Sequence, residues 1–378
     1  TESLVSVLPM ASKPLFESAA SDFVDEADHP VDQLTLLKEK ARDLAALGDS
    51  DSVIECRIKQ LALQHLLVYL YDFPVQDLVR AHIQVAEAYS AGGYITQAHH
   101  HLSCANEVCA WGVHDDEQTQ RLHVDVLLAK GSVQLAEEQL DAAQRSLEDA
   151  SRVCREVYGE MDVRAARIHA MLGEASKLRG RHAEAVNHFY AAWEVRENLH
   201  GATGEETLHA ALKIAEAEHL AGNIEEAISK QRQVVETLRK LSEFPALQVE
   251  TSAELARWLE AQGKDSEALQ VLLAAEGTVR ENLGAEDKKS VEVKRDIALL
   301  HLKLGDHESA LQYLNDVHYF ERRLHGSQST NVARTLKALG TVHLARSSFA
   351  EAEQCLLQAL RIFEADHVPN GAIIRDLH

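Results

Sequence analysis

The sequence predicts an all-α fold, a right-handed helical-repeat superhelix (solenoid) of about eight helix pairs. Three observations carry that prediction. First, an alanine recurs at Ala98, Ala143, Ala185, Ala227, Ala268, Ala310 and Ala352, at intervals of 45, 42, 42, 41, 42 and 42 residues. A fixed period of this size marks a chain built from copies of one supersecondary unit. Second, three further columns keep register with it. Five residues before each alanine stands Gly93, Glu138, Gly180, Gly222, Gly263, Gly305 or Ser347, where a helix end needs a left-handed residue. Twelve before stands Ala86, Gly131, Gly173, Ala215, Ala256, Ala298 or Gly340, always small, so that two helices can approach closely. Seven after comes Ala105, Ala150, Ala192, Val234, Ala275, Val317 or Ala359. Third, four of the six prolines (Pro9, Pro14, Pro30 and Pro74) lie at or before residue 74, so the remainder is free to be helical.

Taken in order, residues 1–31 form an extended N-terminal arm. Pro9, Pro14 and Pro30 prevent a long helix there, and apolar residues such as Leu15, Phe16, Phe23 and Val24 suit docking on the repeats or on a partner. The helical period starts at Val31. Leu34, Leu37, Ala41, Leu44 and Ala45 share one face, Gly48-Asp49-Ser50 turns the chain, and residues 53–70 return. Val53 replaces the column alanine in this first hairpin. The repeats occupy residues 32–364. In the last hairpin, Ala333 to Ala359, the small Gly340 and Ala352 mark the close approach of two helices, and Leu339, Leu356 and Ala359 supply apolar packing. Residues 365–378 form a capping tail, in which Pro369, Asn370 and Gly371 break the helix and Ile373 and Ile374 can cover its open end.

Charge narrows the partners. The net charge of −22 removes a broad basic face, and with it nucleic acid and anionic membrane surfaces as partners. No apolar run approaches the length of a membrane span. The five cysteines are odd in number and irregularly spaced, as expected of buried thiols in a reducing, cytoplasmic setting.

No phosphate loop, nucleophile elbow, dinucleotide fingerprint or His-Glu-x-x-His is present, so an enzyme, a cofactor and a small-molecule substrate are not expected. His99-His100-His101 with Cys104, Cys109 and His114 holds one zinc-like spacing, His100 to Cys104. It lacks the paired C-x-x-C or H-x-x-x-H element of a structural zinc site, and we read it as a buried thiol beside exposed histidines, without metal. The remaining histidines are dispersed over different helix faces. Trp111, Trp193 and Trp258 fit core or inter-repeat packing.

The columns resemble the small-residue positions of the tetratricopeptide repeat, and the junctions VYGEMDVRAARIHAMLG, NLHGATGEETLHAALKIAE, NLGAEDKKSVEVKRDIALL and RLHGSQSTNVARTLKALG repeat its helix end, turn and new helix. The period, longer than the family's usual ~34, is similar to that of the kinesin-light-chain class. LTLLKEKARDLAA followed by RAHIQVAEAYSAGGYITQAHHHLSCANEV is similar to the cilium-associated tetratricopeptide repeat protein 23 group. The resemblance implies a non-enzymatic scaffold that joins other proteins in a larger complex, cytoplasmic and placed at the cytoskeleton, cilium or axoneme. A soluble peptide-binding adaptor of cargo or chaperone type is the alternative.

In such repeats the first helix of each pair lines the binding groove. Carried onto this sequence, the groove receives Arg167, Lys177, His209, His219, Arg257, Arg295, Arg334 and Lys337, a partner-binding surface for an acidic or extended peptide. The clamp of chaperone-binding repeats is not matched, since Glu174, Leu212 and Glu216 stand at its positions. The groove asparagines of cargo-binding kinesin light chains are absent as well.

Overall fold

The computed structural model describes residues 30–112, 116–282 and 287–365. All but the last two residues of the expected arm, and all of the expected tail beyond Ala365, lie outside the described residues. So does His114. Among the described residues there are sixteen α-helices and no strand. The first pair is α1 (Pro30–Ala46) and α2 (Ser50–Tyr71); the next is α3 (Val75–Ala91) and α4 (Ile95–Gly112). Then follow α5 (Asp116–Ala136), α6 (Leu140–Tyr158), α7 (Val163–Leu178), α8 (His182–His200) and α9 (Glu205–Ala221). The remainder is α10 (Ile224–Leu241), α11 (Pro245–Ala261), α12 (Asp265–Asn282), α13 (Lys288–Lys303), α14 (His307–His325), α15 (Thr330–Ala345) and α16 (Phe349–Ala365). No helix among the described residues is long and apolar enough to cross a membrane.

The chain divides into two compact units, Thr1–Ala221 and Gly222–His378. In the first unit, α3/α4, α5/α6 and α7/α8 pack as hairpins, and the first helices α3, α5 and α7 touch one another in turn. In the second, the hairpins are α11/α12, α13/α14 and α15/α16, with α11 against α13.

Each sequence column has a physical counterpart. The seven anchor alanines are all fully buried (0%). Ala105, Ala150, Ala192, Val234, Ala275, Val317 and Ala359 are buried as well. At the close-approach column there is no room for a side chain in three pairs. A Cβ on Gly131 would sit 2.7 Å from Leu147, one on Gly173 2.7 Å from Phe189, and one on Gly340 2.6 Å from Leu356. Each obstructing residue lies four after the anchor, one turn along the second helix, so one repeat register sets both sides of the contact.

The turn column is left-handed throughout. Gly48, Gly93, Gly180, Gly222, Gly263 and Gly305 have φ between 71° and 87°. Glu138 and Ser347 adopt the same conformation without being glycine, at φ 58° and 61°. Here the repeat geometry overrides residue preference, at a backbone cost of about 1–2 kcal/mol.

Four of the five cysteines are buried and all are free thiols. Trp258 is buried, and Trp193 packs on Ala185, Val186, Phe189, Ile214 and Ala217, as expected of structural tryptophans. The side chain of Trp111 lies outside the described residues.

Candidate partner-binding face

The first helices carry the expected groove cations, and the structure pairs most of them internally. In the first unit, Arg167 on α7 donates to Glu87 on α3 at 3.0 Å, joining first helices two repeats apart. Lys177 lies 2.7 Å from Glu174 and 3.0 Å from Glu216. Lys213, which the sequence reading passed over, closes the square at 2.9 Å from Glu174 and 3.3 Å from Glu216. Burial pushes the Glu216 carboxyl up, but Lys177 and Lys213 together hold it below the usual carboxylate range. Two cations between two carboxylates leave little net charge for a ligand. His209 stands 3.9 Å from Glu205, and His219 also has a partner.

In the second unit the arrangement differs from residue to residue. Arg295 on α13 turns toward Glu321 on α14, whose side chain is 0% exposed. Thr335 on α15 donates its hydroxyl to the other oxygen of the same carboxylate at 2.5 Å. Arg295 is therefore one side of a buried clamp across three helices. A buried carboxylate held in this way has its charge balanced and its lone pairs satisfied. Arg257 on α11 donates only to the Ala253 carbonyl, at 3.3 Å. Arg334 on α15 is exposed and makes no salt bridge among the described residues. Lys337 is half-buried and has a partner.

Between α11 and α13, Arg257 and Arg295 border a cleft of about 380 Å³, with Val249, Ala253 and Val293 as its apolar part. Arg257, Lys289 and Arg295 face Glu250, Glu292 and Asp296 around it. Lys289 bonds to Glu250 across the cleft. Burial raises the Asp296 carboxyl despite the nearby Arg295 and Arg257. The cleft offers apolar surface rimmed by both signs of charge, which suits an extended polypeptide better than a simple anion.

The histidines are not dispersed as the sequence reading has them. His65 on α2, His82 on α3 and His101 on α4 meet in the core at 5%, 0% and 4% exposure. The two Nδ1 atoms of His82 and His101 are 3.1 Å apart, so one ring donates to the other. His65 stacks on Tyr69 and meets His82 edge-on, while Tyr89 stacks on His101. Both ring nitrogens of His65, and Nε2 of His82, have no hydrogen-bond partner. Burial lowers His65 and His101 to about 4 and holds His82 well below its ordinary value, and neighbouring imidazoles add to the effect at His101 and His82. Their spacing is 17 and 19 residues, one helix-to-helix step each, a signal visible only once the helices are folded side by side. His100 does share a face with Cys104, at 3.6 Å. Among the described residues no group of three or more His, Cys, Asp or Glu is placed to hold a metal.

Comparison with known proteins agrees with this architecture. The family model "Tetratricopeptide repeat" matches residues 164–240 and 289–365. The human tetratricopeptide repeat protein 23 is 21% identical over 350 residues, 88% of this chain and 77% of that protein. The crystal structure of the apo form of RapI superposes with a TM-score of 0.61 at 12% identity, covering 93% of this chain and 95% of RapI. A putative kinesin light chain from Podosopora anserina, with nearly identical TPR-like repeats, is 21% identical with a TM-score of 0.46, covering 53% of this chain and 96% of that one. Tetratricopeptide repeats generally mediate protein–protein interaction through surfaces on their helices, and scaffolds of this kind are typically non-enzymatic. Repeat period, buried columns, turn geometry and the family match at residues 164–240 and 289–365 converge on an all-α helical-repeat fold of the tetratricopeptide type.

Proposed function

We propose that this protein is a non-enzymatic scaffold that binds other proteins along its first-helix face. The observation that carries the proposal is the cleft between α11 and α13. Its apolar walls, Val249 and Val293, are bordered by cations and carboxylates. An extended segment with an apolar anchor and flanking acidic groups can exchange its carboxylates for Glu250 or Glu292 and bury the anchor. Arg257 and Arg334, which make no salt bridge among the described residues, are the cations ready for such a ligand. A pulldown with Arg257→Glu and Arg334→Glu together tests this. One or more partners should be lost while the helical content stays unchanged, and an unaltered partner set refutes the groove reading.

The finer reading is a structural component of a cytoskeletal or ciliary, axonemal assembly. It is supported by the resemblance of the first two hairpins to the cilium-associated group and by the similarity to human tetratricopeptide repeat protein 23 over 88% of this chain. Such a component stays with salt-extracted axonemes or cytoskeleton; complete release into the soluble fraction refutes it. The second reading, a soluble peptide-binding adaptor, is favoured by the free Arg257 and Arg334, and predicts release together with loss of a partner in the double variant.

A further inference from the structure

The first unit has a cleft of its own, of about 250 Å³, which the groove cations do not line. Val31, Leu34 and Lys38 border it from α1, Gln60 and Gln64 from α2, and Phe73 from the connection to α3. Its floor is apolar, since Leu34 is buried and Val31 and Phe73 pack on the same cluster as Leu63 and Leu67. Its charged lining is Lys38 with Asp77 and Arg80 of α3, two cations against one carboxylate in a chain whose net charge is −22.

The wall carries a donor with nothing to bind. Gln60 is 3% exposed. Its Oε1 accepts at 2.8 Å from Nη1 of Arg57, a residue outside the cleft lining, while its Nε2 has no hydrogen-bond partner among the described residues. A buried N–H left unpaired has lost its hydration with no return, so an oxygen brought by a ligand is worth more there than at an exposed amide. Gln64, 5% exposed, stands one turn further along α2. Lys38 is exposed and makes no salt bridge among the described residues, while Arg80 is neutralised by Asp77, at 3.1 Å. The spacing sets the shape of the ligand. Gln60 and Gln64, like Leu34 and Lys38, are four residues apart on one helix face, a rise of about 6 Å. Residues two apart in an extended chain point the same way and stand about 6.7 Å apart. One extended polypeptide therefore keeps step with both rows, its carbonyls toward the glutamines and its alternate side chains toward Leu34 and Lys38.

We propose that this cleft is a second protein-binding site, which takes an extended segment of another protein with an apolar and an acidic residue two positions apart. The apolar side chain lies on Val31, Leu34 and Phe73, the carboxylate meets Lys38, and a backbone carbonyl accepts from Nε2 of Gln60. The charge is complementary. Lys38 has no carboxylate on it among the described residues, whereas a cation in the ligand would find only Asp77, already held by Arg80. The proposal rests on the reading of this protein as a protein-binding scaffold, but not on the α11–α13 cleft. That cleft lies in the other compact unit, and its three cations face three carboxylates. With one cleft in each unit, a single chain holds two segments, and the two need not come from the same partner.

The test uses the full chain and a short synthetic glycine–serine peptide in which the photoreactive p-benzoylphenylalanine is the apolar residue and a glutamate stands two positions on. One matched probe carries lysine in place of the glutamate, and another sets the glutamate directly beside the photoreactive residue. Irradiation followed by peptide mapping should place the crosslink on residues 31–38, 60–64 or 73–80. The acidic probe should be captured about five-fold or more over the lysine probe, and more than the probe with adjacent spacing. The exposed substitutions Lys38→Glu and Arg80→Glu, introduced together, should abolish that preference. Gln60→Met, which keeps the volume and removes the orphan donor, should lower capture of the acidic probe. Arg257→Glu with Arg334→Glu should leave capture unchanged. Crosslinks elsewhere, no crosslink, equal capture of the three probes, or a preference that survives the charge reversals overturns the proposal. Capture lost in the Arg257→Glu, Arg334→Glu variant overturns it in favour of the α11–α13 cleft. Partners lost from that variant in a pulldown, with no crosslink on α1 to α3, overturn this site alone and leave the scaffold reading standing. Capture that falls as the protein is concentrated overturns it in favour of a second copy. Circular dichroism of each variant confirms that the helices persist.

Discussion

Removing the guanidinium of Arg295 is expected to loosen the second unit before it affects any partner. Glu321 is wholly buried and its charge is balanced by Arg295 alone; Thr335 supplies a hydrogen bond but no charge. Arg295→Ala therefore strands a carboxylate in the core of α13, α14 and α15. Breaking a buried pair from one side costs about 3–5 kcal/mol. Arg295→Glu costs more, because two carboxylates then face each other. Helical repeats open locally, so amide hydrogen exchange is the suitable assay. At about 1.4 kcal/mol per decade, slow amides of α13 to α15 should exchange two to more than three orders of magnitude faster. The double variant Arg295→Leu, Glu321→Leu should recover most of the loss, since well-packed apolar residues replace a buried pair at little cost. Exchange unchanged in Arg295→Ala would refute the clamp and return Arg295 to the list of binding cations. The clamp also explains why Arg295 is a poor probe of the groove and why Arg257 and Arg334 are the better pair.

Four further outcomes follow from the same geometry. Ser347→Gly and Glu138→Gly should each raise stability by about 0.5–1 kcal/mol, because relief of the left-handed backbone exceeds the added freedom of the unfolded chain; urea titration reads this. Gly201→Ala should cost more than Gly305→Ala: Gly201 has φ 76° and ψ 170°, a region almost confined to glycine, whereas Gly305 sits in an ordinary left-handed turn. Gly173→Ala should destabilise by about 1–3 kcal/mol against a gain of about 1 in helix propensity, and Phe189→Leu in the same chain should recover part of it by calorimetry. The histidine cluster should make the first unit acid-labile. Its folded values lie below the ordinary 6.5, so the neutral rings stabilise the fold fully above that pH, and stability falls as pH drops from about 6.5 toward 4. At pH 4.5 His65 and His101 should each cost on the order of 2–3 kcal/mol, and His65→Phe should flatten the pH dependence of the urea midpoint.

The fold was legible because its determinants are local and repeated. Gly131, Gly173 and Gly340 are separated by the repeat period, and each meets the residue sixteen positions later for the same steric reason. The left-handed turns were legible even at Ser347 and Glu138, since register revealed what residue type concealed. The groove was legible only as a set of positions. Which way a charged side chain turns depends on neighbours on other helices, as Arg167 with Glu87, two repeats away, and Arg295 with Glu321, on the second helix of its own pair, show. Those partners stand in none of the repeat columns, so a column count cannot find them. The histidine cluster was hidden for a related reason. His65, His82 and His101 occupy no common column, and only the packing of three successive helices joins them.

The square of Lys177, Glu174, Lys213 and Glu216 has a consequence for how a ligand would be felt in solution. A carboxylate arriving there takes a lysine away from a resident carboxylate, so the reaction is an exchange of ion pairs rather than the formation of one. The count of pairs is the same on both sides, and few small ions are released. Binding at this face should then be nearly indifferent to ionic strength, and choice among ligands should come from apolar fit and backbone hydrogen bonds.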